Sequence, residues 1–181
     1  MRIVKHKVFF MWEADREEKW LNEMSAKGLQ LCDVGYCRYT FEEGQPGEYI
    51  YRLELLDGMA TEEKRKNYIH FVEDTGAEQC GQLFRWVYFR KKADGQGFDL
   101  FSDIDSRITQ LNRICLVVGI LSIVNLLNGI NNLRFWFFYS DVSANRVLSI
   151  ICLAVGVLIG CGFLYLYNKK RKLQKEKLLH E

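Results

Sequence analysis

Two stretches of this chain, residues 114–133 and 147–167, contain no charged side chain at all. Other absences narrow the function. No Gly-rich phosphate loop, nucleophile elbow or H-E-x-x-H pattern occurs. The motif-borne routes to phosphate chemistry, acyl transfer and zinc hydrolysis are therefore missing, and we expect no enzyme and no cofactor. The first 113 residues hold no basic excess, with 17 Lys/Arg against 20 Asp/Glu. A nucleic-acid binder needs a basic face for phosphate, so nucleic acid is not an expected partner. No apolar leader is expected either, because Lys5, His6 and Lys7 interrupt the first dozen residues. Without a signal, Cys32, Cys37 and Cys80 read as reduced thiols in a cytosol.

The uncharged stretches are what the chain has instead. Val147–Tyr167 offers 21 residues without a charge, about 31 Å as helix and enough to cross a bilayer core. Tyr165 and Tyr167 close it as interfacial aromatics, and Asn168-Lys-Lys-Arg-Lys follows as a stop. Ile114–Leu133 is a second span, with Asn125, Asn128, Asn131 and Asn132 near its end and an aromatic belt at 135–139. Small and polar residues recur at helical spacing on both: Gly119, Ser122 and Asn125 on the first, Ser149, Gly156 and Gly160 on the second. Such stripes let helices approach closely, so the spans are expected to pack as a hairpin, or between protomers. The tail 168–181 holds six Lys/Arg and the connecting loop only Arg134 and Arg146. The positive-inside rule then puts both termini in the cytoplasm of a multi-pass inner-membrane protein.

The front region, 1–98, reads as α+β. Lys5–Trp12 is a strand-like run. Asp15 with Glu18 resembles a capping box, opening a helix with a Trp20, Leu21, Met24 stripe and Gly28 after its end. Leu29–Val34 is a strand, bent at Gly35 and continued to Phe41. Pro46-Gly47 marks a turn, and 47–55 alternates as a strand. Thr61 caps a second helix with a Tyr68, Ile69, Val72 stripe, ended by Gly76. Leu83–Arg90 is the last strand. The order β-α-β-β-α-β is that of a split-βαβ, ferredoxin-like sheet, and an amphipathic linker helix, 99–113, leads to the spans.

Cys32, Cys37, Cys80 and His70 lack a recognised zinc spacing, so no metal is expected. Glu13, Asp15, Glu17 and Glu18 suit the first turn of a helix and read as a solvated face. A sheet with both helices on one side leaves the other side open. Tyr39, Tyr51, Trp86 and Tyr88 are then the expected surface for a protein partner, an apolar ligand or a second copy.

The run Trp20-Leu21-Asn22-x-Met24, Gly28, Arg38-Tyr39-x-Phe41 and Glu48-Tyr49-x-Tyr51-Arg52 resembles a bacterial membrane family of unknown function, domain of unknown function 2812. The likeness covers about residues 8–56 well. Leu29 departs from it, where many members have an aromatic residue. The resemblance implies a soluble domain followed by membrane spans and brings no assigned activity. Its members are often encoded beside PadR-like transcription regulators, which implies a membrane-linked response. The expected role is a membrane-anchored sensor or adaptor, with an accessory subunit of a transport or envelope complex as the alternative.

Overall fold

The computed structural model describes residues 2–58, 60–95, 98, 100, 104–139 and 143–180. It divides into two compact units, Met1–Asp103 and Ile104–Glu181. The first is α+β, and the second is a pair of helices.

In the first unit the order is β1 (Arg2–His6), a 3-10 turn (Met11–Glu13), α1 (Ala14–Ala26), β2 (Leu29–Gly35), β3 (Arg38–Glu43), β4 (Tyr49–Leu55), α2 (Glu62–Asp74), β5 (Ala77–Leu83) and β6 (Trp86–Lys92). The strands form two antiparallel three-stranded sheets, ordered β1-β3-β2 and β4-β6-β5. The single sheet read from the order β-α-β-β-α-β is therefore corrected, among the described residues, to six strands in two sheets. The chain does not bend at Gly35. It reverses at Tyr36-Cys37, with Cys37 at φ 54°. The run Leu83–Arg90 likewise reverses at Phe84-Arg85, with Phe84 at φ 54°.

These elements are one pattern used twice. Ala14 answers to Glu62, Ala26 to Asp74 and Leu29 to Ala77, a constant spacing of 48 residues. Both sheets have the same internal order. Both carry a bulge at the same place, around Cys32 in β2 and Cys80 in β5. Each helix ends on a glycine in the left-handed region, Gly28 (φ 78°) and Gly76 (φ 84°), where a Cβ would be strained. The first unit is thus two β-α-β-β repeats.

The repeats meet where β2 runs beside β5, without a ladder between them. A strand edge leaves backbone groups that need partners, and here side chains supply them. Leu31 N–H donates to the Tyr51 hydroxyl (2.9 Å), and Leu31 C=O accepts from Arg90 (3.3 Å). Val34 sits on Gly81, where an added Cβ would lie 2.9 Å from its Cγ2. The outer edge of β4 is met by α1. Asn22 donates to Tyr51 C=O (3.2 Å) and accepts from Tyr51 N–H (2.9 Å). Ser25 donates to Tyr49 C=O (2.7 Å), and Glu18 accepts from Leu53 N–H (3.2 Å). Residues one and two turns apart on a helix track alternate residues of a strand.

Two cores result. Trp20, Leu21 and Met24 of α1 pack with Leu31, Phe41, Tyr51 and Tyr88. Val72 of α2 packs with Val87, Phe89, Leu56 and Phe98. β6 alternates between them, so the helices cover opposite faces of the second sheet. The expected open face is absent there.

Two local expectations also change, and a third holds. β1 ends at His6, because its partner β3 begins at Arg38, opposite His6; the residues beyond have no ladder to join. Asp15 and Glu18 form no capping box: Glu13 accepts from Phe10 N–H (3.2 Å), and Glu18 faces β4 and Arg52. The Thr61 cap does form, accepting from Lys64 N–H (3.3 Å).

The second unit is α3 (Ile104–Tyr139) and α4 (Ser143–His180), both long and apolar enough to cross a membrane. The expected linker helix, first span and aromatic belt are one helix from Ile104, and the basic tail is helical to His180. Residues 99, 101–103, 140–142 and 181 lie outside the described residues. Ser122 Oγ donates to Gly156 C=O (2.9 Å), and a Cβ on Gly160 would lie 3.2 Å from the same Oγ. Gly119 faces Phe163, Gly156 faces the side chain and backbone nitrogen of Leu126, and Gly129 faces Leu153. Ser149 is buried but bonds back to Arg146 C=O, and Asn125 bonds to Leu121 C=O of its own helix.

Candidate functional site

The most unusual chemistry in the first unit lies under α1. Glu17 falls one turn before Trp20 and Leu21 and two before Met24, so the helical period places it on the buried stripe. It is only 8 % exposed, which corrects its reading as part of a solvated acidic face. Its Oε1 accepts from the Tyr39 hydroxyl of β3 (2.6 Å) and the Tyr88 hydroxyl of β6 (2.5 Å). One carboxyl oxygen thereby joins α1 to both sheets.

Burial raises the Glu17 carboxyl above its ordinary value, and the two tyrosine hydrogen bonds pull part of that shift back. Burial and then the nearby Glu17 charge push both phenols up, so Tyr39 and Tyr88 hold their protons and act as donors.

An aromatic cluster adjoins this pair of bonds. Trp20 meets Tyr39 edge-on at 5.0 Å and Phe9 at 5.7 Å between ring centroids. Lys7 Nζ stands 4.7 Å from the Trp20 ring and 4.9 Å from Phe9. Aromatic faces attract cations in this geometry, and the chain's own ammonium occupies the position. The sum is a largely buried aromatic cluster with a cation over it, joined through Tyr39 to a buried acid.

Of the four residues expected to line an open face, the structure brings Tyr39 and Tyr88 together on Glu17. Both are buried, so neither belongs to an exposed surface. Tyr51 is also buried and serves the junction between repeats, with its hydroxyl raised mainly by burial. Trp86 is half-buried at the start of β6 and packs against the α1 core. Sequence reasoning missed Glu17 as a core residue and the Lys7–Phe9–Trp20 cluster. The signal for Glu17 was its register with Trp20, Leu21 and Met24.

The residues weighed for zinc have other roles. Cys32 Sγ donates to Thr40 C=O and Cys80 Sγ to Tyr88 C=O. Burial lifts the Cys80 thiol to about 12. His70 pairs with Glu73 on the exposed side of α2. Among the described residues, no group of three or more His, Cys, Asp or Glu could hold a metal ion.

A family model described as a protein of unknown function (DUF2812) matches residues 13–123, more than half of the chain. No curated protein and no solved structure matches it.

Proposed function

Because the chain belongs to the DUF2812 family, and the matched segment runs from the first unit into α3, we propose that both units serve one task, that of a membrane-anchored sensory protein. α3 and α4 cross the inner membrane as a hairpin, and the β-α-β-β repeats lie in the cytoplasm. Outward-facing Leu116, Ile120, Leu127, Val157 and Leu158 are exposed on the two helices, as lipid contact requires. Lys177 pairs with Asp105 (2.7 Å), which sets the start of α3 beside the end of α4 and both on the basic side.

The ligand class that fits is an organic cation with an apolar body. The observation that carries this reading is Lys7 over Trp20 and Phe9, next to the buried Glu17. An exposed lysine can swing away and yield its place to a cation that also buries carbon surface. A PadR-like regulator, implied by the family's gene neighbourhoods, is the partner this reading supplies for the signal. No catalytic step is part of it.

The test is tryptophan fluorescence of the full chain in detergent, titrated with benzyltrimethylammonium. Saturable binding should tighten several-fold in Lys7→Gln and weaken in Glu17→Gln. Absence of saturation in both the parent and Lys7→Gln would sink the ligand class. The alternative, an accessory subunit docking through asparagines of the hairpin, has less support, because Asn125 and Asn132 donate to carbonyls of α3 itself.

A further inference from the structure

The duplication sets two exposed aromatic tips at one end of the first unit. Leu31 of β2 bonds to Arg90, whose partner in the ladder is Glu78, and Val34 rests on Gly81. Moving from 31 to 34 along β2 therefore moves from 78 toward 81 along β5. The two strands run the same way, and both hairpin turns emerge at the same end. Tyr36 leads one turn and Phe84 the other, at equivalent repeat positions, and they are 81 % and 79 % exposed.

Other groups collect at that end. Lys7 N–H donates to Cys37 C=O (3.2 Å), which fixes the start of the 7–10 segment beside the first tip. Beyond it Val8 is exposed. Arg85 is anchored beside the second tip by its bonds to Leu56 C=O (3.0 and 2.5 Å). Arg38 flanks the first tip, paired with Asp33 across an exposed 3.4 Å contact. Large aromatics at projecting turns, with Lys7, Arg38 and Arg85 near them and the one acid Asp33 paired to Arg38, are a composition that settles at the headgroup level of a bilayer.

The geometry points to this end as a membrane-docking surface, with Tyr36 and Phe84 entering the interface of a bilayer that contains anionic lipid. The inference rests on the reading of α3 and α4 as membrane spans. It goes beyond that reading by giving the first unit its own contact with lipid. Exposed aromatics would otherwise be an aggregation liability. A bilayer covers both tips with one flat partner.

The experiment is photo-crosslinking of the full chain in native membranes. A diazirine-bearing phenylalanine analogue replaces Tyr36, Phe84, Asp74 or Leu127, one at a time. Asp74, exposed at the far end of α2, is the background control. Leu127, exposed on α3, reports whether the helices sit in lipid. Lipid adducts at 36 and 84 should exceed those at 74 at least fivefold. If 127 labels lipid while 36 and 84 stay at background, or label protein instead, the docking inference is overturned and the membrane spans stand. If 127 also fails to label lipid, the spans themselves are overturned and the inference falls with them.

Discussion

Tyr39 and Tyr88 come from different sheets and donate to the same oxygen of Glu17. Each hydroxyl would be costly to bury alone. Together they make one acid the meeting point of α1, β3 and β6. Removing one should be felt across the domain. Tyr88→Phe deletes a buried donor to a group that stays buried, and should cost about 1–3 kcal/mol. Chemical denaturation of the full chain, followed by tryptophan fluorescence, measures it.

The acid also gives stability a pH dependence. Its folded-state value is raised above the ordinary 4.5, so the folded state prefers the protonated form. The contribution is therefore full below the unfolded value and is lost as pH rises through the folded one. Stability should decline as pH climbs from about 4.5, and Glu17→Gln should flatten that decline. Thermal unfolding across the pH series, parent against variant, is the measurement. A parent curve parallel to that of Glu17→Gln would contradict the burial argument.

Asn22 should matter more than its half-buried position suggests. Asn22→Ala strips both backbone bonds from Tyr51 at the edge of β4, an expected loss of about 2 kcal/mol. Asn22→Asp keeps the acceptor for Tyr51 N–H and removes the donor to its carbonyl, so it should fall between parent and alanine. Urea midpoints of the three proteins rank them.

In the helical pair, Gly156→Leu should part the helices, because even a Cβ there would lie 2.9 Å from the Leu126 side chain and 3.1 Å from its backbone nitrogen. Cysteines at 122 and 160 should crosslink readily in the parent and several-fold less in the leucine variant.

Both termini are expected on the cytoplasmic side. Reporter fusions after residue 181 and at 141 should give opposite signals. An external tail would invert the proposed topology.

Much of this was legible in local patterns. The α1 and α2 stripes, the Thr61 cap, Gly28 and Gly76, the Pro46-Gly47 turn and the two apolar helices all follow from spacing and residue type. The hairpin turns were not, because neither Tyr36-Cys37 nor Phe84-Arg85 is a turn-forming pair by composition. β5 was hidden because Ala-Glu-Gln-Cys-Gly-Gln-Leu lacks alternation; it lies between β6 and β2, and its Gly81 is small because Val34 crowds it. Without β5 the repeat stayed out of view, since Gly28/Gly76, Cys32/Cys80 and Phe41/Phe89 are among the few identities at its spacing. Glu17 was misplaced because an acid in a first turn has a ready explanation at the helix dipole. Here the tertiary partners overrode it.

The junction of β2 with β5 has a mechanical consequence. Strands joined by a ladder separate cooperatively, rung after rung. These two are held by Tyr51, Arg90 and the fit of Val34 on Gly81, contacts that can loosen one at a time while each sheet keeps all its rungs. The domain is therefore jointed along its middle, with Glu17 and the bonds from Asn22 and Ser25 of α1 to β4 as pins through both halves. A load applied at the aromatic tips would be relieved first at that joint and only later within either sheet.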